Sequence, residues 1–105
     1  MKLIMAIVHS DDSNRLVAQL NSNKFSVTRL ATTGGFLRAG NTTLMIGVEE
    51  DRVQAAIGII KDECSTRKQM TTTQAPMGGV MPYPVEIEVG GATVFVLDIE
   101  RFEKL

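Results

Sequence analysis

Short runs of apolar and β-branched residues predict five strands in this chain. Three are expected at residues 2–8, 25–32 and 42–48, and two more lie within VEIEVGGATVFVLDI, residues 85–99. The Gly90-Gly91 pair that separates the last two strands is a strong signal for a two-residue β-hairpin. The pattern therefore predicts that these two strands pair with each other.

Apolar residues at helical spacing predict two helices. The first lies in HSDDSNRLVAQLNSN, residues 9–23, where Leu16, Val17 and Leu20 form an apolar stripe and the final asparagines end the helix. Its candidate N-caps are Ser10, Asp11 and Asp12. The second lies in EDRVQAAIGIIKDEC, residues 50–64, with apolar positions at Val53, Ala56, Ile57, Ile60 and Cys64.

Residues 65–82 show no sustained period and hold two prolines and a Gly-Gly pair, so they predict a long loop, which in a compact domain is usually functional or mobile. Residues 100–105 are expected to form at most a frayed helical turn. The resulting order is strand, helix, two strands, helix, long loop and two strands. This order is typical of a ferredoxin-like α+β domain, βαββαβ, with one extra strand. We therefore predict a single domain over residues 1–105.

Composition excludes several classes of function that the predicted fold leaves open. Eleven Lys and Arg against twelve Asp and Glu give a net charge of -1, so no basic surface for a nucleic-acid polymer is expected. The apolar run at the N-terminus is too short to span a membrane and indicates a first strand rather than a signal peptide. With Cys64 as its only cysteine the chain has no internal disulfide, and a cytoplasmic location is expected.

The residues that could carry catalysis are few. His9 is the only histidine, and its position before the first helix favours capping or surface solvation. His9, Asp11 and Asp12 could be drawn as a metal cluster, but they fit a helix start better, so no metal site is predicted. Cys64 is expected to pack in the core. The sequence therefore favours a binding protein over an enzyme.

The stretch RLATTGGFLRAGNTTLMIG, residues 29–47, places large apolar residues among glycines. The glycines let the backbone turn sharply and present amide hydrogens that can hold a phosphate, and Arg38 adds a cation. Asn41 can pair with an adenine edge, while Phe36 and Leu37 can support a base. Alternatively, Phe36 and Leu37 pack into the domain's own core or a subunit interface. The residues alone leave both interpretations open.

The chain resembles the PII-like cyclic di-AMP receptor proteins of bacteria in motifs that follow the same order over essentially its whole length. These motifs are MKLIMAIV, LATTGGFLRAGNTT, PMGG and PYPVEIEVGGATVFVL. The second is long and unusual and therefore specific, whereas PMGG alone is common. The resemblance implies a ferredoxin-like subunit, a PII-like homotrimer, cyclic di-AMP held in clefts between neighbouring subunits, and no enzymatic activity. It also implies loops that change on binding and present a surface to a downstream protein, which the sequence does not identify.

The resemblance also implies contacts to the ribose and phosphates. It assigns them to Thr28 and to the backbone of Gly35, Phe36 and Leu37. One departure affects this part of the site, because Ser26 stands where an arginine is expected. Serine carries no charge and reaches less far, so we expect weaker binding than is usual in the family.

The contacts to adenine are implied in the same way. Asn41 and the backbone of Gly47 read one adenine, Phe95 forms an aromatic wall for that base, and Gly91 lies close by. The long loop is about four residues short between Gly79 and Tyr83, a second departure. The resemblance implies no cofactor besides the ligand.

Two other hypotheses remain. The same clefts could serve a PII-type sensor of a linear adenine nucleotide, ATP or ADP. A small nucleotide hydrolase using His9 is less favoured, because the sequence offers His9 no convergent partner.

Overall fold

The computed structural model describes residues 1–30, 40–65, 67–72 and 84–105, with the backbone alone for residues 68–72 and 84–89. The elements of this part of the chain are β1 (Lys2–His9), α1 (Ser10–Ser22), β2 (Val27–Leu30), β3 (Asn41–Val48), a 3₁₀ turn (Glu50–Arg52), α2 (Val53–Cys64), β4 (Arg67–Thr72), β5 (Pro84–Val89) and β6 (Ala92–Asp98). Neither helix is long and apolar enough to cross a membrane.

Four strands form an antiparallel sheet in the order β2-β3-β1-β6. Strand β1 is central, and its Met5 lies opposite Met45 of β3 on one side and Phe95 of β6 on the other. A sheet in this order with two helices is consistent with the ferredoxin-like fold. The α+β class predicted from the sequence is therefore confirmed.

The core lies between this sheet and the two helices. Alternate residues of β1 and β3 face the helices, as expected where one side of a sheet is buried. Core residues with no more than 1% of their surface exposed are Ile4, Ala6, Val8, Leu16, Leu20, Leu44, Ile46, Ala56, Ile60 and Cys64. The apolar stripes predicted for both helices, including the position of Cys64, are thus confirmed.

Helix α1 begins differently from the prediction. Its N-cap is His9, whose Nδ1 accepts a hydrogen bond from the backbone N–H of Asp11 at 3.3 Å. Ser10 is already helical, and its hydroxyl instead lies 2.9 Å from that of Thr42 on β3. The prediction of Ser10, Asp11 or Asp12 as the N-cap is therefore wrong, whereas the capping role favoured for His9 is confirmed.

The predicted hairpin around Gly90-Gly91 is wrong. Strand β5 pairs with β4 in a separate two-stranded sheet, and β6 pairs with β1. Both glycines have left-handed φ values, 82° and 91°, which let the chain pass from one sheet into the other. Alternation identified the strands but not their partners.

The region predicted as one long loop also contains a strand. Residues 67–72 form β4, although their sequence, RKQMTT, shows no apolar alternation. We call the β4–β5 pair the arm. The sequence predicted one strand beyond the four of a ferredoxin-like sheet. The structure instead has two further strands, β4 and β5, which pair as the arm outside the main sheet.

Two smaller differences concern element ends. Strand β2 begins at Val27 rather than at residue 25, and residues 31 and 32 of the prediction lie outside the described residues. Phe25, which precedes the strand, is buried in the core with the Arg52 guanidinium 4.0 Å from its ring centre. Residues 100–105 form no helical turn. Instead, Phe102 places its ring beside Gly47, 3.4 Å from where a Cβ on that glycine would lie.

Candidate functional site

The sheet face opposite the helices, which we call the open face, carries four of the predicted site residues. Cross-strand partners project to the same face. Thr28, Met45, Met5 and Phe95 are such partners and form one row across all four strands. On β3, Asn41 and Gly47 alternate in phase with Met45 and lie on this face too. The row places Thr28 and Phe95 near opposite edges of the same surface.

A groove of about 510 Å³ opens at one end of this face. Ser26, Thr28 and Gly47 line it, together with Phe102, Glu103 and Lys104. Because Gly47 has no side chain, the Phe102 ring lies close beside the backbone of β3 in this groove. Three residues assigned to the ligand from sequence are therefore brought together, next to a cation that the sequence did not single out.

A second, more polar pocket of about 340 Å³ lies at the other end of the open face. It is lined by Asn41, by Gly90 and Gly91, and by His9 and Thr93. His9 and Asn41 are direct partners in the β1–β3 pairing, which explains why they share this pocket. The pocket thus contains the amide predicted to read adenine and the backbone of two glycines.

The two predicted adenine contacts on β3 lie in different places. Asn41 and Gly47 are six residues apart on one strand, which corresponds to about 20 Å. Gly91 lies at the pocket that contains Asn41, whereas Phe95 lies four residues further along the chain, in the row with Thr28. One base could contact both Asn41 and Gly47 only if two subunits supplied them.

The glycine-rich part of the predicted site falls outside the described residues. Gly35, Phe36, Leu37 and Arg38 belong to the segment between residues 30 and 40. The residues on either side of that segment are described: β2 ends at Leu30, and Gly40 immediately precedes β3. Their roles at the phosphates stay predictions.

One buried carboxylate was missed by the sequence reasoning. Asp12 on α1 is 1% exposed, and its Oδ1 accepts hydrogen bonds from Arg67 at 2.8 Å and from Arg15 at 3.1 Å. The hydrogen bond and the charge of Asp12 raise the pKa of the Arg67 guanidinium. The acids of a helix's first turn are usually solvated, so the sequence offered no signal for this ion pair.

The candidates for chemistry remain sparse in the part of the chain that the structure describes. Those residues hold no group of three or more His, Cys, Asp or Glu side chains able to bind a metal. Burial, reinforced by Asp12, raises the pKa of the Cys64 thiol to about 11, so the thiol is protonated at neutral pH. Cys64 is therefore a buried core residue, as its place on the apolar stripe of α2 predicts.

Comparison with known proteins agrees with this picture. A solved structure of a functionally unknown protein from Pediococcus pentosaceus ATCC 25745 is similar to this chain at 44% identity and a TM-score of 0.81, over 99% of this chain and 96% of that one. The family model described as cyclic-di-AMP receptor matches residues 1–105. The resemblance found in the sequence is thereby confirmed, and the chain belongs to the cyclic-di-AMP receptor family.

Proposed function

We propose that this protein is a non-enzymatic signalling protein that binds cyclic di-AMP at the subunit interfaces of a homotrimer. Binding changes the conformation of loops near the clefts and thereby regulates a downstream protein. The observation that carries the proposal is the convergence of Ser26, Thr28 and Gly47 in one groove, in a chain of the cyclic-di-AMP receptor family.

The geometry of the open face supports a site shared between subunits. The groove and the Asn41 pocket lie at opposite ends of β3, about 20 Å apart. Apolar side chains of β6 between and beside them, Phe95 and Leu97, are exposed in the single chain. A neighbouring subunit on this face would cover them and would bring its own pocket towards the groove. Each ligand then takes contacts from two chains.

The two pockets suit different parts of the ligand. The hydroxyl groups of Ser26 and Thr28 can donate to ribose or phosphate oxygens, and Lys104 can balance phosphate charge. The Asn41 amide has both the donor and the acceptor that the edge of adenine requires. The exposed ring of Phe95 offers a face for stacking.

Lys104 can supply the positive charge that is lost where Ser26 stands in place of the expected arginine. Ser26 lacks the charge of the expected arginine, but Lys104 lines the same groove. We expect Ser26→Arg to tighten binding by about 1–2 kcal/mol, roughly tenfold, in low salt. Equal affinity of the two proteins would indicate that Lys104 already supplies the cation, and Lys104→Met would then weaken the wild type.

The test is a comparison of cyclic di-AMP, ATP and ADP by isothermal titration and thermal unfolding. At 100 times the dissociation constant, a ligand stabilises the native state by about 2.7 kcal/mol per site. Cyclic di-AMP is expected to raise the melting temperature and to bind once per subunit. A shift with ATP or ADP and none with cyclic di-AMP would favour the sensor of linear nucleotides.

A matched pair of variants tests the adenine contact. Asn41→Ala leaves the base edge unpaired in a desolvated cleft, which should cost about 1–3 kcal/mol of binding. Asn21→Ala makes the same change on the exposed end of α1 and should bind as the wild type does. If the two variants bind equally well, Asn41 does not read the base.

The hydrolase hypothesis has a separate test. His9 lines the pocket with Asn41, but its Nδ1 already accepts the capping hydrogen bond from Asp11. We expect cyclic di-AMP and ATP to be recovered intact after long incubation with the protein. Linear products that disappear with His9→Gln would establish an enzyme instead.

A further inference from the structure

The Arg67 side chain occupies the space beside Gly90. A Cβ built on Gly90 would lie 2.5 Å from Nη1 of Arg67 and 2.9 Å from the carbonyl oxygen of Ser65. The φ of Gly90 is +82°, in the region that favours glycine. Gly90 therefore has a backbone conformation that favours glycine, and its lack of a side chain leaves room for the Arg67 guanidinium.

The guanidinium is itself held by the core. Arg67 Nη2 donates to the buried Asp12 Oδ1 at 2.8 Å, and Nη1 donates to the carbonyl oxygen of Ser65 at 3.3 Å. Charge-assisted hydrogen bonds to a buried carboxylate are stronger than neutral ones, and the planar guanidinium fixes both directions at once. Arg67 is thus fixed against α1 on one side while it contacts Gly90 on the other.

The glycines beside Arg67 form one wall of the pocket that contains Asn41. Gly90 and Gly91 both line that pocket, and the Gly91 N–H donates to the carbonyl oxygen of Cys64 at the end of α2. The arm leaves the body at Arg67 and returns at Gly90. The same contacts therefore set the pocket wall and the base of the arm.

We propose that Arg67, held by Asp12, is a positioning residue for nucleotide binding: it fixes the Gly90–Gly91 wall of the Asn41 pocket. The inference rests on the proposed function, since it takes that pocket to be part of the ligand site. Without Arg67 the wall loses the group against which it packs, and the ligand must order a looser backbone when it binds. The same loss frees the base of the arm.

Arg15 provides a matched control. It donates to the same oxygen of Asp12, at 3.1 Å, and to Glu63 at 2.8 Å. Removal of either arginine therefore takes one cation from the buried carboxylate. Of these two arginines, Arg67 alone has its guanidinium beside Gly90. A difference between Arg67→Met and Arg15→Met thus isolates the contact with the wall from the general cost of an unbalanced carboxylate.

The experiment compares these two variants with the wild type and with Arg67→Lys. Titration with cyclic di-AMP should show affinity about tenfold weaker for Arg67→Met and unchanged for Arg15→Met. Arg67→Lys should fall between them, because lysine keeps the charge but lacks the second branch. In the unliganded proteins, exchange of the Gly91 amide hydrogen, followed by NMR, should accelerate in Arg67→Met relative to the amides of Ile4 and Ala6 in the core.

Equal affinity losses in the two methionine variants, or unchanged Gly91 exchange in Arg67→Met, would overturn the proposal. If Arg67→Met does not fold, Arg67→Lys is compared with Arg15→Met instead, and the lysine variant should still bind more weakly of the two. Failure of the wild type to bind cyclic di-AMP would overturn the proposed function, and the exchange measurement would still test whether Arg67 holds the wall.

Discussion

The two faces of the four-stranded sheet have the same strands but opposite surroundings. On the helix side, Ile4 and Ala6 of β1 are completely buried. On the open face, the β6 residues Phe95 and Leu97 are 53% and 43% exposed. A domain is normally built from two packed layers, and the described residues supply the second layer for one face only. The comparison identifies the open face as the surface on which the proposed subunit contact would add a layer.

Strand β6 carries exposed apolar side chains on both faces of the sheet. Val96 points to the helix side, yet it is 44% exposed, because the helices do not extend fully over this edge of the sheet. Large apolar residues on both sides of an edge strand are costly in a lone molecule. If the proposed assembly forms, strand β6 is therefore the part of the sheet that gains most from cover by a neighbouring subunit.

The largest expected effect is the loss of stability when a leucine is replaced by alanine on the helix side, compared with the same replacement on the open face. Leu20→Ala removes a fully buried side chain from the helix side and should lower the free energy of unfolding by about 2–5 kcal/mol. Leu97→Ala on the open face should cost less, and its cost should depend on protein concentration because it acts through assembly. Urea unfolding at two protein concentrations measures both. Equal, concentration-independent losses would remove the distinction between the faces.

The next effect concerns assembly. The wild type is expected to be a trimer by light scattering at micromolar concentration, and Phe95→Asp should give monomers, since it places a charge on the exposed apolar row. Gln54→Glu adds the same charge on the exposed side of α2 and should leave the trimer intact. A wild-type monomer, or a Phe95→Asp trimer, would contradict assembly through the open face.

A smaller effect is expected when alanine replaces one glycine of helix α2, Gly58, or one glycine of the open face, Gly47. Gly58 lies within α2 with open space where a Cβ would be, so Gly58→Ala should stabilise the fold by about 0.5–1 kcal/mol. A methyl group on Gly47 would meet the Phe102 ring at 3.4 Å and narrow the groove. Gly47→Ala should therefore weaken cyclic di-AMP binding while it leaves the melting temperature nearly unchanged. Unchanged binding would place the ligand elsewhere.

The smallest effect at neutral pH comes from Cys64 on the helix side. Its pKa is raised to about 11 in the folded protein from the usual value of 9.0, chiefly by burial. Between these values the unfolded chain releases a proton that the folded chain keeps. Stability should therefore fall as pH rises from 9, by up to about 1.4 kcal/mol per pH unit, and level off above 11. Cys64→Ala should lack this part of the pH dependence in urea unfolding.

The sequence predicted the helices better than the sheet connections. Leu16, Leu20 and Ile60 fall at helical spacing because burial on one side of a helix leaves a local period. Which strand pairs with β5 is a non-local property, and the alternation in residues 85–99 could not distinguish β4 from β6. The missed N-cap has a similar cause, because the contact of Ser10 with Thr42 joins two distant segments.

Most residues of the candidate site were assigned only through the family resemblance. Ser26, Thr28 and Gly47 carry no distinctive chemistry, and nothing in their spacing shows that they share a groove. Lys104 and Arg67 were missed because each acts through a contact with a remote part of the chain. Physical reasoning did propose the glycine-rich stretch and Asn41 as candidates, because their residue types are unusual next to a strand, and their roles stay predictions.

The central position of β1 has a consequence during synthesis. Strand β1 can pair with β3 once residue 48 is available, but its other edge must wait for β6, where Lys2 lies opposite Asp98. The ribosome adds the roughly 50 intervening residues at about 5–20 per second, so this edge stays unpaired for about 3–10 s. During that interval the nascent chain presents a free apolar strand edge, which a neighbouring nascent chain can join. Slow elongation between residues 48 and 98 should therefore favour domain-swapped or aggregated products over native subunits.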